Sequence, residues 1–295
     1  MIPFEWYWAI FVLLAAALQT VRNAAQRTVA GTAGTIGGTA ARFFYALPFA
    51  VLFLAVSAMF YGLPSRPPAM FFGRVAMSGV LQILATMALL TAMSGQSFAV
   101  AVSLSNTTPV QVAIFAFLIL GEPLGLGSAF AVITAAVGMV AMSWPHAGAK
   151  FEGRAVAAGL MSGSFFALSA VGYRGATTSL DTPYLMSAAL TLTIVLIYQS
   201  VILSAYMAWR APDDLRAVLR VWRQSLLAGF AGACASQLWF SAYALEEVTR
   251  VRTLAVVELL YSQVVSARVF REAMRARELF GIACIVVAIV MILNA

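Results

Sequence analysis

The sequence predicts an all-α integral membrane protein: ten transmembrane helices arranged as two inverted five-helix repeats. Three observations carry this. First, 62% of the 295 residues are hydrophobic and 10% are charged, with a mean hydropathy of +0.92; a soluble globule of that composition would need a surface as apolar as its interior. Second, the apolar stretches run unbroken at spanning length instead of alternating, which favours helices over a barrel, because helices satisfy their own backbone in hydrocarbon. Third, a shift of 150 residues lays the chain over itself: Gly79 falls on Gly229, Ala85 on Ala235, Ala92 on Ala242, Leu104 on Leu254, Glu122 on Glu272 and Phe130 on Phe280. An odd number of spans per copy makes the second copy enter the bilayer upside down.

The expected spans are 5–24, 39–61, 73–94, 97–120 and 126–144, then 154–176, 183–209, 223–245, 248–269 and 277–294. The first begins without a basic flank and reads as a retained span, not a targeting peptide. Breaks follow proline and glycine: Pro64, Pro67 and Pro68 after the second span, Gly121 and Pro123 after the fourth, and Pro183 before the seventh. The seam near Ser143–Gly153 divides the chain into repeats 1–147 and 148–295. Between the seventh and eighth spans, Pro212-Asp213-Asp214-Leu215-Arg216 opens a short amphipathic surface helix with acids in its first turn.

Net charge is +7, but the arginines are scattered over short loops without aromatic interleaving. Lipid headgroups, not nucleic acid, are the expected counter-charge. More arginines follow odd-numbered spans than even ones, which by the positive-inside rule puts both termini outside the cytoplasm. Cys234 and Cys284 lie inside expected spans and read as small packing residues.

Absences exclude most enzymology. His146 is the only histidine, and Asp181, Asp213 and Asp214 all sit at span ends or in loops. Intramembrane catalysis by a Ser-His pair, an aspartate pair or a His-ligated metal therefore lacks its parts. No catalytic residue, metal or cofactor is expected.

The leading candidate for function is Glu258, about ten residues into the ninth span. An ionisable group near mid-bilayer costs about 2.5–3.5 kcal/mol on insertion scales, so it faces a cavity or a partner. A carboxyl that gains and loses a proton there couples proton movement to substrate movement; the alternative reading is a salt bridge to Arg252, Arg22 or Arg174. Its repeat counterpart is Thr108, in the polar run Ser103-Leu104-Ser105-Asn106-Thr107-Thr108-Pro109 of span four. Pro109 frees the carbonyl of Ser105, so Ser105, Asn106 and Thr108 are expected to line a broken helix facing substrate. Gln19, Arg22 and Asn23 share about one face of span one, where Arg22 can meet a carboxylate bidentately or else snorkel. Gln237, Trp239 and Tyr243 on span eight, with Tyr261 on span nine, offer flat surfaces and amide bonds. Gln82 and Thr86, one turn apart on span three, complete the expected wall. Glu122 and Glu272 read as caps or loop pins.

The run Thr108-Pro109 … Phe117-Leu118-Ile119-Leu120-Gly121-Glu122-Pro123-Leu124, followed by the Gly- and Ala-rich stretch Gly127–Met142, resembles the drug/metabolite transporter superfamily, in its ten-span branch with two EamA-type domains. The second copy, Glu258-Leu259 … Val269-Phe270-Arg271-Glu272, departs by placing Arg271 where the first has glycine. The resemblance implies a secondary carrier working by alternating access, often an exporter, with spans one, three, four, six, eight and nine around the cavity and cytoplasmic termini. The expectation is a proton- or gradient-coupled exporter or exchanger of a small organic metabolite, such as an amino acid or derivative, in a bacterial plasma membrane. Its partners would be that substrate, the lipid bilayer and protons, the chain acting as a monomer or homodimer. Two rival readings are an importer of a planar vitamin-like or nucleobase-like compound and a non-transporting membrane scaffold.

Overall fold

In a computed structural model, the structure describes residues 4–64, 66–95, 98–105, 107–143, 153–269 and 276–294. Among these there are α-helices, two short 3-10 turns and no strand. In chain order the helices are α1 (Tyr7–Phe44), α2 (Leu47–Tyr61), α3 (Ala69–Gly95), α4 (Phe98–Ser105), α5 (Thr108–Leu120), α6 (Leu126–Ser143), α7 (Gly153–Thr177), α8 (Tyr184–Arg210), α9 (Pro212–Arg220), α10 (Trp222–Leu245), α11 (Val248–Leu254), α12 (Glu258–Arg268) and α13 (Ala276–Leu293).

Among the described residues, four helical stretches are each long and apolar enough to cross a membrane: Phe4–Tyr61, Ala69–Gly95, Gly153–Thr177 and Tyr184–Arg210. Large apolar side chains stay exposed on α2 (Val51, Leu52, Val56, Met59, Phe60), α5 (Ile114, Phe117, Leu118) and α13 (Phe280, Val287, Val290). Contiguous exposure of that kind suits a lipid environment and not water. The chain is a multi-pass membrane protein.

Three boundaries differ from the sequence reading. Span one does not stop at 24: its helix runs on to Gly34, whose φ of 70° and ψ of 172° break α1 internally. The chain reverses there. A Cβ on Gly38 would lie 2.8 Å from Ala30 Cβ, whereas eight residues of continuous helix separate two residues by about 12 Å. Gln26 Nε2 also donates to the Gly38 carbonyl at 3.0 Å. Spans one and two thus form a helical hairpin with almost no loop. Only glycine adopts that backbone region at little cost, so Gly34→Ala is expected to lower stability by about 2 kcal/mol. Thermal unfolding in detergent checks it, and an unchanged midpoint would place the reversal elsewhere.

The expected spans 97–120 and 248–269 are each two helices rather than one. α4 ends at Ser105 and α5 begins at Thr108, with Pro109 in its first turn; proline's missing donor is harmless there and its ring bars a continuous helix. α11 gives way to the 3-10 turn Ala255–Val257 before α12 begins at Glu258. The two restarts, Thr108 and Glu258, are the repeat-equivalent residues.

The helices pack as two units, the first made of Met1–Ile83 and Gly172–Glu246, the second of Leu84–Val171 and Glu247–Ala295. Each unit combines a piece from either side of the sequence seam. In the first, α10 lies along α1, α8 packs on α2 and α10, and α9 crosses the α1 hairpin tip. Asp214 of α9 lies against Gly34 and Val218 against Gly37. The acids at the start of α9 sit at its positive end, and Asp213 pairs with Arg216 at 3.0 Å. In the second unit, α6 packs on α13 and α4, and α11 on α5 and α13. There a Cβ on Gly138 would lie 3.0 Å from Cys284 Cβ, so Cys284 fills a helix crossing as a small side chain.

Candidate functional site

The expected site residues divide between the units. The first unit holds Gln19, Arg22, Asn23, Gln82, Gln237, Trp239 and Tyr243; the second holds Thr86, Ser105, Thr108, Glu258 and Tyr261. Asn106 lies outside the described residues, as do His146, Arg271 and Glu272.

In the first unit, α1 and α10 are joined by polar side chains along their shared face. Trp239 Nε1 donates to Gln19 Oε1 at 2.9 Å. Trp239 and Tyr243 stack one turn apart, with ring centroids separated by 6.2 Å at 22°. Arg22 is 1% exposed; it is buried in protein and does not snorkel. Its Nε and Nη2 both donate to Asn23 Oδ1, at 3.2 and 2.7 Å. Gln237 Nε2 donates to the Leu185 carbonyl at 3.2 Å, while its buried Oε1 has no partner among the described residues.

Gln82 is held by hydrogen bonds from two other helices. Its Oε1 accepts from Tyr173 at 3.0 Å and from Gln199 Nε2 at 2.9 Å, and Gln199 Nε2 also donates to the Gly79 carbonyl at 3.0 Å. Gln82 therefore ties α3 to α7 and α8. Arg174 donates to the Tyr243 carbonyl, and the rings of Tyr173 and Phe240 lie 4.4 Å apart. Aromatic and amide groups meet here, and Tyr173 and Gln199 were not among the residues the sequence singled out. A lone glutamine inside the apolar seventh span was the available signal for Gln199.

In the second unit, the break between α4 and α5 is closed by hydroxyls. Thr108 Oγ1 donates to the Ser105 carbonyl at 2.7 Å, and Thr107 Oγ1 to the Leu104 carbonyl at 3.0 Å. The carbonyl that Pro109 leaves unpaired is thus taken by Thr108. Ser105 Oγ lies 2.9 Å from Ser162 Oγ, which donates to the Ala85 carbonyl at 2.8 Å. Thr86 is buried and Tyr261 half-buried.

Glu258 is 1% exposed and opens α12. A carboxylate in a helix's first turn is favoured by the unpaired N–H groups there. One and two turns on come Ser262 and Ser266, both buried, and the Ser262 hydroxyl has no partner among the described residues. Glu258, Ser262 and Ser266 form a polar stripe at i, i+4 and i+8 through the interior. The serines escaped the sequence reading because single hydroxyls in spans usually bond their own helix.

Glu122 pins a loop, as its position suggested: its Oε2 accepts from Val248 N at 3.2 Å, at the start of α11. Gly121 adopts φ 71°, ψ 18°, and the bonds Gly121 N to Phe117 O and Glu122 N to Ala116 O complete a glycine-terminated helix end. The Gly-Glu of the repeat motif thus ends one helix and positions the start of another. Among the described residues no cluster of His, Cys, Asp or Glu could hold a metal ion.

Residues 6–144 match the EamA-like transporter family. Among the solved structures that match, one described as the crystal structure of a protein covers 96% of this chain and 98% of its own, with a TM-score of 0.69 at 14% identity, which speaks for the fold. No curated protein sequence matches the chain. Over residues 6–144 the chain is thus similar to the EamA-like transporters of the drug/metabolite transporter superfamily, a family of membrane transporters of the drug/metabolite type.

Proposed function

We propose that this protein is a secondary carrier for a small organic metabolite, an amino acid or derivative, working by alternating access as an exporter or exchanger in a bacterial plasma membrane. Ten spans in two inverted repeats, 1–147 and 148–295, form the machine, and protons are the coupling ion. The observation that carries this reading is the matched pair of helix restarts, Thr108 and Glu258, one bearing a hydroxyl and the other a buried carboxyl. Broken helices at corresponding places in two halves mark substrate and ion sites in repeat-built carriers.

The stacked Trp239 and Tyr243 favour a second reading, in which a planar compound is imported through the same framework. A non-transporting scaffold fits poorly, because its buried polar groups would all be paired. Here, among the described residues, Gln237 Oε1, Gln199 Oε1 and the Ser262 hydroxyl are buried without partners, as groups awaiting a ligand or water are.

Counterflow tests the carrier reading. Purified protein in vesicles loaded with unlabelled metabolite is expected to accelerate entry of the same labelled metabolite, saturably. A scaffold gives no saturable counterflow with any compound, and a panel without response would end the reading.

A further inference from the structure

Two dipeptides that the sequence reading passed over, Trp209-Arg210 and Trp222-Arg223, bracket the short helix α9 in the first unit. α8 has 27 residues, about 40 Å of helix, against a hydrocarbon core about 30 Å thick. Its ends, Trp209 and Arg210 included, therefore reach the headgroup region. The nine residues of α9 cover only about 14 Å, and α10 packs on α8. α10 thus starts at the membrane face where α8 ends.

Four exposed arginines stand at that face: Arg210, Arg216, Arg220 and Arg223. α9 turns one side to the tip of the α1 hairpin, where Val218 is buried with its Cγ2 3.0 Å from a Cβ built on Gly37. Helical spacing puts Arg216 and Arg220, one turn apart, on the opposite side. The two aspartates of α9 do not balance this charge. Asp213 pairs with Arg216 at 3.0 Å, and Asp214 lies against Gly34. Among the described residues, Arg210, Arg220 and Arg223 pair with no carboxylate.

Two of these cations rest on rings instead. Arg210 Cζ lies 4.3 Å from the Trp209 ring centroid and Arg223 Cζ 5.4 Å from that of Trp222. A guanidinium over an indole face keeps its N–H edge for an oxygen acceptor, and a phosphate fits that fork. The tryptophans are 75% and 50% exposed, as aromatic residues at a bilayer interface are. Exposed apolar side chains continue from them along both helices, Val201 and Tyr206 on α8, Leu226 and Phe230 on α10. A nucleic acid or an acidic peptide would answer the arginines alone. A molecule that joins a phosphate to acyl chains answers the arginines, the tryptophans and the apolar faces together.

We propose that the corner formed by α8, α9 and α10 is a docking surface for the headgroup of an anionic phospholipid. Its phosphate lies among Arg210, Arg220 and Arg223, and its acyl chains run along the exposed faces of α8 and α10. The assignment goes beyond the carrier reading and stands or falls without it.

The test is thermal unfolding of the purified full chain in micelles of an uncharged detergent doped with dioleoylphosphatidylglycerol or dioleoylphosphatidylcholine. The glycerol lipid is expected to raise the midpoint at a lower mole fraction than the choline lipid, and added salt should shrink the difference. In Arg210→Gln/Arg223→Gln the fraction that gives half the effect should rise at least about tenfold. Arg210→Lys/Arg223→Lys should stay within about threefold of the parent, because the surface attraction depends on charge. Arg66→Gln/Arg154→Gln removes as many exposed charges elsewhere and should match the parent. A second measurement needs no arginine variant: phosphatidylglycerol with brominated chains should quench tryptophan fluorescence more than brominated phosphatidylcholine does. Trp209→Phe/Trp222→Phe should remove that excess. Equal effects of the two lipids, equal losses in the corner and control arginine pairs, or a quenching excess that survives without Trp209 and Trp222 would each overturn the assignment. So would stabilisation by soluble glycerol 3-phosphate at the lipid's own effective concentration, which would make the corner a site for free phosphate esters.

Discussion

Glu258→Gln is expected to abolish the response of uptake to an imposed pH gradient while leaving exchange of like for like across the vesicle membrane. Glutamine keeps the shape and hydrogen-bonding capacity of the side chain but cannot bind and release a proton. Glu258 is 1% exposed at the first position of α12, at a break in the ninth span, where a charged carboxylate costs about 2.5–3.5 kcal/mol on insertion scales. A residue retained there at such a cost either moves protons or ties helices, and the two roles separate in vesicles. A coupling carboxyl shows gradient-driven uptake lower by about tenfold or more, with counterflow near the parent's. A structural tie shows both rates falling together, along with the unfolding temperature. The neighbouring hydroxyl sharpens the comparison, because Ser262 lies one turn on and its Oγ has no partner among the described residues. If gradient-driven uptake survives in Glu258→Gln, that carboxyl has no part in coupling.

Helix and membrane were legible in composition and run length, because lipid demands unbroken hydrogen-bonded apolar segments and leaves little else possible. The break in span four was legible too, since Pro109 within a polar run cannot sit in a helix interior. Span nine was harder: Ala255, Val256 and Val257 carry no mark of a 3-10 turn, and only the repeat offset connected Glu258 with Thr108. The reversal at Gly34 was not legible. It stands among Gly31, Gly37 and Gly38 in a stretch rich in small residues, and which of them takes positive φ is set by α9 packing on the turn. That single ambiguity hid the burial of Arg42, which stands near the expected start of span two yet is 3% exposed. Gln82 shows a second limit: its hydrogen bonds with Tyr173 and Gln199 are set by tertiary packing and leave no mark in local helical spacing.

The repeat makes a prediction about packing that sequence alone could not rank. Gly79 and Gly229 are offset equivalents, and both stand at close helix approaches in the first unit. A Cβ on Gly79 would meet Val195 Cγ2 at 2.9 Å, the end of a side chain that can turn. A Cβ on Gly229 would meet the Tyr45 carbonyl carbon at 2.4 Å and its oxygen at 2.6 Å, backbone that can yield only by moving α10 off the joint between α1 and α2. Overpacking of a close-packed interior costs about 1–3 kcal/mol when side chains can adjust, and more when they cannot. Gly79→Ala is therefore expected to cost about 1 kcal/mol and Gly229→Ala about 3 kcal/mol or more. Unfolding midpoints of the two variants in one detergent would order them. Equal midpoints would mean that α10 stands farther from Tyr45 than the structure has it.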